Sequence, residues 1–395
     1  VWIHAVSVGE VNLLATTLGE LAQRRPDLEI VISTTTKTGY DLALRNYGNQ
    51  HSVFYCPLDF SWAVRRAMQR VRPVLLVLAE LELWPNLIAA AKESGARVAI
   101  INGRLSDNSF RGYRHVSWLV RRVLNQVDLI AAQDESTAER FNRLRLRAAK
   151  PQAAKPQAIH VTGSLKYDGA ETNRNNEHTG EFRALAGFKD HDVIWLAGST
   201  QAPEEAMAIR IFQELSHKHP TLRLMIVPRH PERFDEVAKL LDESGIPWQR
   251  RSKLQTQNPQ MPDPESRILL IDSIGELGAW WGTASIGLVG GSFGDRGGQN
   301  MIEPAAYGVA TCFGPNTKNF SDIVAALVSA GAAQVVHSEE QLAEFVTHCL
   351  DDPAAATALG DRARALVAMH LGATARTVDL LETLIPVKDR QVAAA

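Results

Sequence analysis

The sequence has 395 residues, of which 45% are hydrophobic and 22% are charged. This composition is typical of a globular chain and excludes collagen-like, fibrous and disordered proteins, while the length predicts two domains. With 42 Lys and Arg against 44 Asp and Glu, the net charge is −2. This overall charge gives no indication of a nucleic acid or other polyanionic partner.

Other features of the composition exclude whole classes of protein. No stretch approaches the roughly 18 consecutive apolar residues of a transmembrane helix. The three cysteines, Cys56, Cys312 and Cys349, are far apart and lack the spacing of metal ligands. They indicate a reducing compartment and exclude a disulfide framework or a zinc site. The chain begins at Val1, already inside a predicted strand, so we expect its natural start to lie upstream.

The charge is unevenly distributed along the chain. Residues 1–160 carry 21 basic and 14 acidic residues, a net of +7, whereas residues 161–395 carry 21 and 30, a net of −9. Such asymmetry suggests different partners for the two halves, and random variation in surface composition is the alternative.

Short apolar runs alternate with amphipathic segments, which is the pattern of strand–helix units in parallel sheets. In the first half, strands are predicted near residues 2–6, 29–34, 52–55, 74–79, 97–101 and 129–132, and helices near 11–24, 61–71, 87–94, 112–124 and 135–144. A direct repeat of Ala-Ala-Lys-Pro-Gln at 148–157 predicts a mobile surface loop.

The alternation stops after a strand near 159–162 and a polar stretch at 168–180, where we place the domain boundary, and then resumes. In the second half, strands are predicted near 193–197, 222–227, 268–271, 286–289 and 309–312, and helices near 203–218, 233–244, 274–281, 319–330, 339–350 and 354–369. Open parallel sheets bind ligands at the carboxyl ends of their strands, so polar residues directly after a strand are candidates for a site.

Glu10 comes after the first strand and precedes a helix predicted to begin at Val11. A carboxylate there stabilises the helix N-terminus by about 0.3–1 kcal/mol, and the spacing alone favours that role. The alternative is a general base that the helix keeps anionic, beside Gly9, which allows a ligand to approach closely.

Glu80 and Glu82 come after the most apolar strand, and in an extended chain both would point to one face. Carboxylates are seldom core residues, and Trp84 and Pro85 indicate a rigid loop, so a site role is favoured over a solvated loop.

Two motifs of the second half suit a nucleotide. Arg229 lies in a proline-flanked turn before a helix, an arrangement suited to phosphate binding. Five glycines at 290–298 come after a strand and let backbone amides approach a ligand, without the pattern of a P-loop or a dinucleotide fold. Glu303 comes after this loop and is suited to accept hydrogen bonds from ribose hydroxyls.

Together these motifs resemble the 3-deoxy-D-manno-octulosonic acid (Kdo) transferase family. The matching segments occur in order along nearly the whole chain, at 4–10, 80–86, 163–168, 198–205, 227–234, 297–304 and 314–323. The resemblance implies a GT-B glycosyltransferase with two Rossmann-like domains facing across a cleft. Residues 1–168 would bind the acceptor, a lipid A precursor, and residues 169–395 would bind the donor, CMP-Kdo.

The resemblance also implies roles for individual residues. Glu10 matches the family's proton acceptor, and Glu80 matches a second acidic position whose role is less settled. The positions that match CMP-contacting segments are Pro228, Arg229, Gly275, Glu276, Leu277, Asn300, Met301, Ile302 and Glu303. This sequence departs from the family in having Gln201 and Gln299 where His is usual, and Met301-Ile302 where Pro-Leu is usual.

The expected reaction is inverting transfer of Kdo from CMP-Kdo to the 6′-hydroxyl of lipid IVA in lipopolysaccharide biosynthesis, without a metal or other cofactor. The implied location is the cytoplasmic face of the bacterial inner membrane, with the basic half on the anionic surface. The resemblance implies a membrane-anchoring segment upstream of the first strand, which we do not expect within residues 1–395. The alternatives are a GT-B enzyme that uses a UDP-sugar and an inactive protein that binds sugar nucleotides or lipids.

Overall fold

A computed structural model describes residues 1–145, 158–254 and 266–386 and divides the chain into two compact units. Unit 1 contains Val1–Gly169 together with the C-terminal segment from His370, and unit 2 is Ala170–Met369. The repeat at 148–157 lies outside the described residues.

Unit 1 is built on a sheet in which seven described strands are all parallel. Its strands are β1 (Trp2–His4), β2 (Val31–Thr34), β3 (Ser52–Tyr55), β4 (Leu75–Ala79), β5 (Arg97–Gly103), β6 (Leu129–Ala132) and β7 (Ala158–Val161). The helices between them are α1 (Val8–Arg24), α2 (Lys37–Tyr47), α3 (Ser61–Val71), α4 (Pro85–Glu93), α5 (Asp107–His115), α6 (Ser117–Leu124) and α7 (Glu135–Arg145).

The strand order in unit 1 is β3-β2-β1-β4-β5-β6-β7. The chain moves outward in one direction from β1 and in the other from β4, so the order reverses between these two neighbours. Such a switch point leaves a crevice at the carboxyl ends of the two strands, which is where open α/β sheets bind ligands.

Unit 2 repeats this architecture. Its strands are β8 (Val193–Thr200), β9 (Leu222–Pro228), β10 (Trp248–Arg250), β11 (Ile268–Leu270), β12 (Ile286–Val289), β13 (Ala310–Phe313) and β14 (Gln334–Val335). Its helices are α8 (Glu177–Leu185), α9 (Glu204–Ser216), α10 (Phe234–Ser244), α11 (Leu277–Thr283), α12 (Ile302–Ala306), α13 (Ser321–Ser329), α14 (Glu339–Asp351) and α15 (Pro353–His370). The order β10-β11-β9-β8-β12-β13-β14 places the switch point between β8 and β12.

Each sheet of the two units is covered on its faces by apolar helix surfaces. In unit 1, α3, α4, α6 and α7 bury one cluster of apolar side chains against the sheet, and α1 and α2 bury another. Strand β4 is buried along its whole length, as its uniformly apolar sequence predicts. All three cysteines are buried free thiols.

The C-terminal segment differs from the prediction, which placed all of 169–395 in the second domain. A last helix, α16 (Ala373–Glu382), packs against α1, where Val378 and Leu381 are fully buried in the core of unit 1. Asp168 accepts hydrogen bonds from the backbone N–H groups of Gly372 and Thr374 at the start of this helix. The assignment of the C-terminal segment to the second domain is therefore wrong.

Three further helical regions also differ from the prediction. The sequence pattern predicted no helix at α2 or α8, although Thr36 and Asn176 cap their N-termini through side-chain oxygens. The single helix predicted over 112–124 is two helices, α5 and α6, which break at Val116. Short polar helices bury too few apolar residues to show a clear period, so sequence periodicity missed them.

Replacing Leu381 by Ala tests whether α16 belongs to the core of unit 1. The change leaves a cavity at a fully buried site, so we expect a loss of about 2–5 kcal/mol in the free energy of unfolding, measured by urea denaturation. Met369→Ala, at a side chain that is 69% exposed, is the control. Equal stability of both variants and the wild type would contradict the assignment.

Candidate functional site

Glu10 lies in the first turn of α1, directly after β1 at the switch point of unit 1. The helix begins at Val8, three residues earlier than predicted, with Ser7 as its N-cap. One carboxylate oxygen of Glu10 accepts a hydrogen bond from the backbone N–H of Val6 at 2.7 Å, and the other accepts one from the Ser7 hydroxyl at 2.9 Å. The carboxylate is thus fixed in place by its own turn.

The environment of Glu10 differs from the expectation that the helix keeps it anionic. Burial raises its pKa to about 7, the two hydrogen bonds lower it in part, and the negative charges of Glu82 and Glu80 raise it further. Glu10 is only 7% exposed, so loss of hydration outweighs the stabilisation that its donors supply. Burial therefore outweighs the effect of the helix N-terminus, and Glu10 has a pKa suited to a general base near neutral pH.

Glu80 comes after β4, the other strand at the switch point, and its backbone is strained. Its φ of 57° is left-handed, as is the φ of 52° at Asn102 on the neighbouring strand β5. Such conformations are uncommon outside glycine and concentrate at functional sites. One carboxylate oxygen of Glu80 lies 3.3 Å from the Lys166 ammonium and accepts a hydrogen bond from the Asn102 amide at 3.5 Å.

Because residue 80 is left-handed, the chain between Glu80 and Glu82 is not extended as predicted. Glu82 instead accepts a hydrogen bond from the indole N–H of Trp84 at 2.9 Å, and burial raises its pKa. The ring of Trp84 also packs perpendicular to the ring of His4, with centroids 5.5 Å apart. His4 is a buried residue of β1, and burial lowers its pKa to about 4. Three carboxylates, those of Glu10, Glu80 and Glu82, thus lie near one another at the carboxyl ends of β1 and β4.

Unit 2 has a cavity of about 300 Å³ at its own switch point. Five of the nine residues predicted to contact CMP line it. The lining residues are Gly198, Ser199, Arg229, Gly275, Leu277, Gly278, Trp281, Val289, Gln299, Asn300 and Glu303.

The glycine-rich loop beside this cavity is held by a buried carboxylate. Glu204, 1% exposed at the start of α9, accepts hydrogen bonds from four backbone N–H groups at 2.8–3.1 Å. Three of these belong to the loop after β12 and one to the turn after β8; the donors are Gln201, Gly291, Ser292 and Phe293. A single side chain therefore joins the two loops of the switch point.

Close packing explains two of the glycines at this site. A Cβ on Gly198 would lie 2.4 Å from the Trp281 ring, and a Cβ on Gly290 would lie 2.7 Å from the Glu204 carboxylate. On the other side, the loop is tied to the segment after β13 through the Asn316 amide, which donates to the Gly294 carbonyl at 2.6 Å. The loop is therefore held by hydrogen bonds on both sides.

Arg229 lies directly after β9, and its backbone N–H donates to the Thr200 carbonyl at 3.0 Å. Within the described ranges, no carboxylate forms an ion pair with its guanidinium, which is exposed at the cavity. Arg233, four residues later, is instead paired with the buried Glu205 at 3.2 Å. This ion pair holds Arg233, whereas Arg229 lines the cavity.

Glu303 forms the acidic side of the cavity. The Asn300 amide donates to one of its carboxylate oxygens at 3.0 Å, and burial raises the pKa of Glu303. The other oxygen faces Gly278, where the absence of a side chain leaves room for a ligand.

Four of the residues predicted to contact CMP do not line the cavity with their side chains. Met301 and Ile302 are buried in the core, and Pro228 ends β9. The Glu276 carboxylate is held by Arg251 through two hydrogen bonds of 2.8 and 2.9 Å and by the Ser273 hydroxyl at 2.6 Å. Its side chain therefore positions the start of α11 rather than reaching into the cavity.

Two further features of the site concern metals and membranes. Over residues 1–145, 158–254 and 266–386, no three His, Cys, Asp or Glu side chains are grouped as metal ligands would be. Across the same ranges, none of the helices combines the length and apolar character required to cross a bilayer.

Comparison with known proteins identifies the family. A family model described as 3-deoxy-D-manno-octulosonic-acid transferase (kdotransferase) matches residues 1–169. The transferase of that name from Bordetella pertussis is 36% identical, over 97% of this chain and 86% of its own length. The one from Haemophilus influenzae is 33% identical over the same shares of the two chains. The chain belongs to the Kdo transferase family.

Solved structures bear on the fold. MurG from Acinetobacter baumannii superposes with a TM-score of 0.57 at 15% identity, over 97% of this chain and 98% of that one. The predicted GT-B fold is confirmed, and this member of the Kdo transferase family is a glycosyltransferase with two parallel-sheet units.

Replacing Glu204 by Gln tests its role in holding the glycine-rich loop. The Gln amide directs an NH₂ group at backbone N–H donors, and a buried unpaired donor costs about 1–3 kcal/mol. We expect a stability loss of that size in urea denaturation, together with weaker nucleotide binding in calorimetry. Glu214→Gln, at an exposed position of the same helix, is the matched control. Wild-type stability in Glu204→Gln would refute this role.

Proposed function

We propose that this glycosyltransferase moves Kdo from CMP-Kdo to the 6′-hydroxyl of a lipid A precursor, lipid IVA, in lipopolysaccharide biosynthesis. The observation that carries the proposal is Glu10, a carboxylate at the switch point of unit 1 whose pKa of about 7 lets it accept a proton near neutral pH. Membership of the Kdo transferase family supports the choice of sugar and donor.

In this proposal, the donor nucleotide binds at the cavity of unit 2. The guanidinium of Arg229 pairs with the CMP phosphate, which is the group that its planar fork suits best. The Glu303 oxygen that faces Gly278 accepts a hydrogen bond from a ribose hydroxyl, and Asn300 holds that carboxylate in place.

The proposed chemistry is a single displacement. Glu10 takes the proton of the acceptor hydroxyl, whose oxygen forms a bond to the anomeric carbon of Kdo. The bond from that carbon to the CMP phosphate oxygen breaks, and CMP leaves with the electron pair. One displacement inverts the configuration of the anomeric carbon. Because phosphate is already a good leaving group, one base is sufficient.

Glu80 is the second catalytic residue of the proposal, and the structure suggests how it acts. Its charge raises the pKa of Glu10, while its own carboxylate is compensated by Lys166 at 3.3 Å. Since the Arg229 guanidinium supplies positive charge for the phosphate, the proposal needs no metal ion, and transfer in the presence of EDTA tests this.

The proposed acceptor and location rest on charge. Lipid A precursors carry phosphates, and residues 1–160 have a net charge of +7. Anionic lipid surfaces attract basic segments, so the proposal places unit 1 at the cytoplasmic face of the inner membrane. Competition between CMP and UDP for the donor site separates this proposal from a UDP-sugar enzyme.

Replacing Glu10 by Gln tests the proposed base. The amide keeps the shape but cannot accept the proton, and removal of a general base costs about 10²–10⁴-fold in rate. We expect transfer at least about a hundredfold slower with CMP affinity unchanged. In the wild type, kcat/KM should rise with pH to a plateau above about 7, because Glu10 is active only when deprotonated. In the variant, kcat/KM should not show this rise with pH.

Glu20→Gln, farther along the same helix, serves as the control and should transfer at the wild-type rate. If Glu10→Gln kept most of its turnover while Glu80→Gln lost it, Glu80 would be the base. Formation of the new glycosidic bond is monitored by mass spectrometry of lipid IVA incubated with CMP-Kdo.

Replacing Arg229 by Ala tests the donor site. A charge-assisted contact is worth about 1.5–3 kcal/mol, so CMP should bind roughly ten- to a hundredfold more weakly in calorimetry. Arg210→Ala removes a surface arginine of the same unit, paired with Glu339, and should leave CMP binding unchanged. CMP affinity equal to the wild type in Arg229→Ala would exclude this residue from the phosphate site.

A further inference from the structure

Two helices of unit 1 begin with nearly the same six residues. Helix α3 begins Ser-Trp-Ala-Val-Arg-Arg at 61–66, and α6 begins Ser-Trp-Leu-Val-Arg-Arg at 117–122. In both copies the serine is the first helical residue, so the other five residues occupy equivalent positions of the two helices.

The two copies present the same side chains to solvent. Trp62 and Trp118 are 70% and 67% exposed, whereas Val64 and Val120 are buried in the same apolar cluster. Residues four apart share a helix face, so each Trp lies one turn before an exposed arginine, Arg66 or Arg122. Among the described residues, no carboxylate pairs with either arginine.

Both copies belong to one layer of the fold. Helices α3 and α6 flank α4 on the same face of the sheet. Each runs back from the carboxyl ends of the strands towards the start of the next strand, β4 or β6, so both helix N-termini lie at the carboxyl edge. The two exposed tryptophans are therefore placed along one edge of one helical layer.

Further exposed apolar residues accompany each tryptophan, and the six side chains together form what we call the tryptophan edge. A cavity of about 720 Å³ beside Trp62 is lined mainly by apolar side chains, with Arg66 and Arg70 at its border. The tryptophan edge consists of Leu58, Phe60, Trp62, Val116, Trp118 and Leu119, which are 38–70% exposed.

The charge around the tryptophan edge is positive. Residues 55–72 contain four arginines and one aspartate, as do residues 107–124, so each segment carries +3. The aspartate of each segment has a partner outside these arginines. Asp59 accepts hydrogen bonds from backbone N–H groups at the start of α4, and Asp107 forms an ion pair with Arg140 at 2.9 Å. Arg65 is engaged as well, by Glu93 at 3.0 Å, so the positive charge beside the exposed apolar residues comes from the other arginines of the two segments.

We propose that the tryptophan edge inserts into the headgroup region of an anionic phospholipid bilayer and holds unit 1 there. Tryptophan favours the membrane–water interface, and neighbouring arginines pair with anionic headgroups. Nucleic acid or another soluble polyanion would satisfy the arginines but leave six apolar side chains exposed, so charge and apolar area together favour a bilayer. This proposal rests on the proposed function only in that the acceptor is a membrane lipid.

The test measures binding of the full chain to phosphatidylcholine vesicles with and without phosphatidylglycerol. A phosphatidylglycerol fraction of roughly 30% gives the vesicles an anionic surface like that of a bacterial membrane. We expect binding only to the anionic vesicles, weaker at high salt, with quenching of tryptophan fluorescence by brominated lipid. The double variant Trp62→Ser/Trp118→Ser should bind at least about tenfold more weakly and lose the quenching, because the apolar insertion is gone.

Charge-reversal variants provide the second part of the vesicle-binding test. Arg66→Glu/Arg122→Glu should abolish the preference for anionic vesicles, whereas Lys218→Glu/Lys239→Glu, the same change at exposed positions of unit 2, should not. Wild-type binding by the tryptophan variant, or vesicle binding without quenching by brominated lipid, would overturn the proposal.

Two activity measurements separate this proposal from the proposed function. The tryptophan variant should keep the CMP affinity of the wild type and its transfer rate to acceptor dispersed in detergent. If it lost transfer in detergent as well, the tryptophan edge would be part of the acceptor site and the bilayer proposal would fail. If the wild type bound vesicles as expected but did not transfer Kdo, the proposed function alone would fail.

Discussion

The reversal of strand order within each parallel sheet decides where the chemistry of this protein is located. In unit 1 the reversal lies between β1 and β4, and Glu10 and Glu80 are the acidic residues directly after these strands. In unit 2 it lies between β8 and β12, and the cavity and the glycine-rich loop are found there. Because neighbouring connections diverge at such a point, the helices leave the strand ends open to a ligand.

Three buried glutamates show how surroundings assign different roles to one side chain. Glu204 is satisfied by four backbone N–H groups and works as a structural anchor. Glu205 is compensated by the positive charge of Arg233. Glu10 has only two donors, and nearby negative charges act against its ionisation. Burial raises the pKa of Glu10 to about 7, which is the property that a proton acceptor requires near neutral pH.

The sequence was sufficient to predict much of the fold because the buried strands are short apolar runs bounded by turns. The carboxyl ends of these strands also located Glu10, Glu80 and Arg229. Three-dimensional information was needed elsewhere. The left-handed backbone at Glu80 cannot be read from a Glu-Leu-Glu pattern, and Glu204 acts on a loop more than 80 residues away. The pKa of Glu10 depends on burial, whereas its position in the chain suggested only the effect of the helix.

The return of α16 to unit 1 has a consequence for how the protein is made. Unit 2 is continuous in sequence from Ala170 to Met369, whereas unit 1 needs residues from both ends of the chain. During synthesis, all of unit 2 leaves the ribosome before the helix that completes the core of unit 1 is available. The N-terminal unit must therefore wait with part of its apolar surface uncovered, which reverses the usual order in which the first domain made is the first to finish folding.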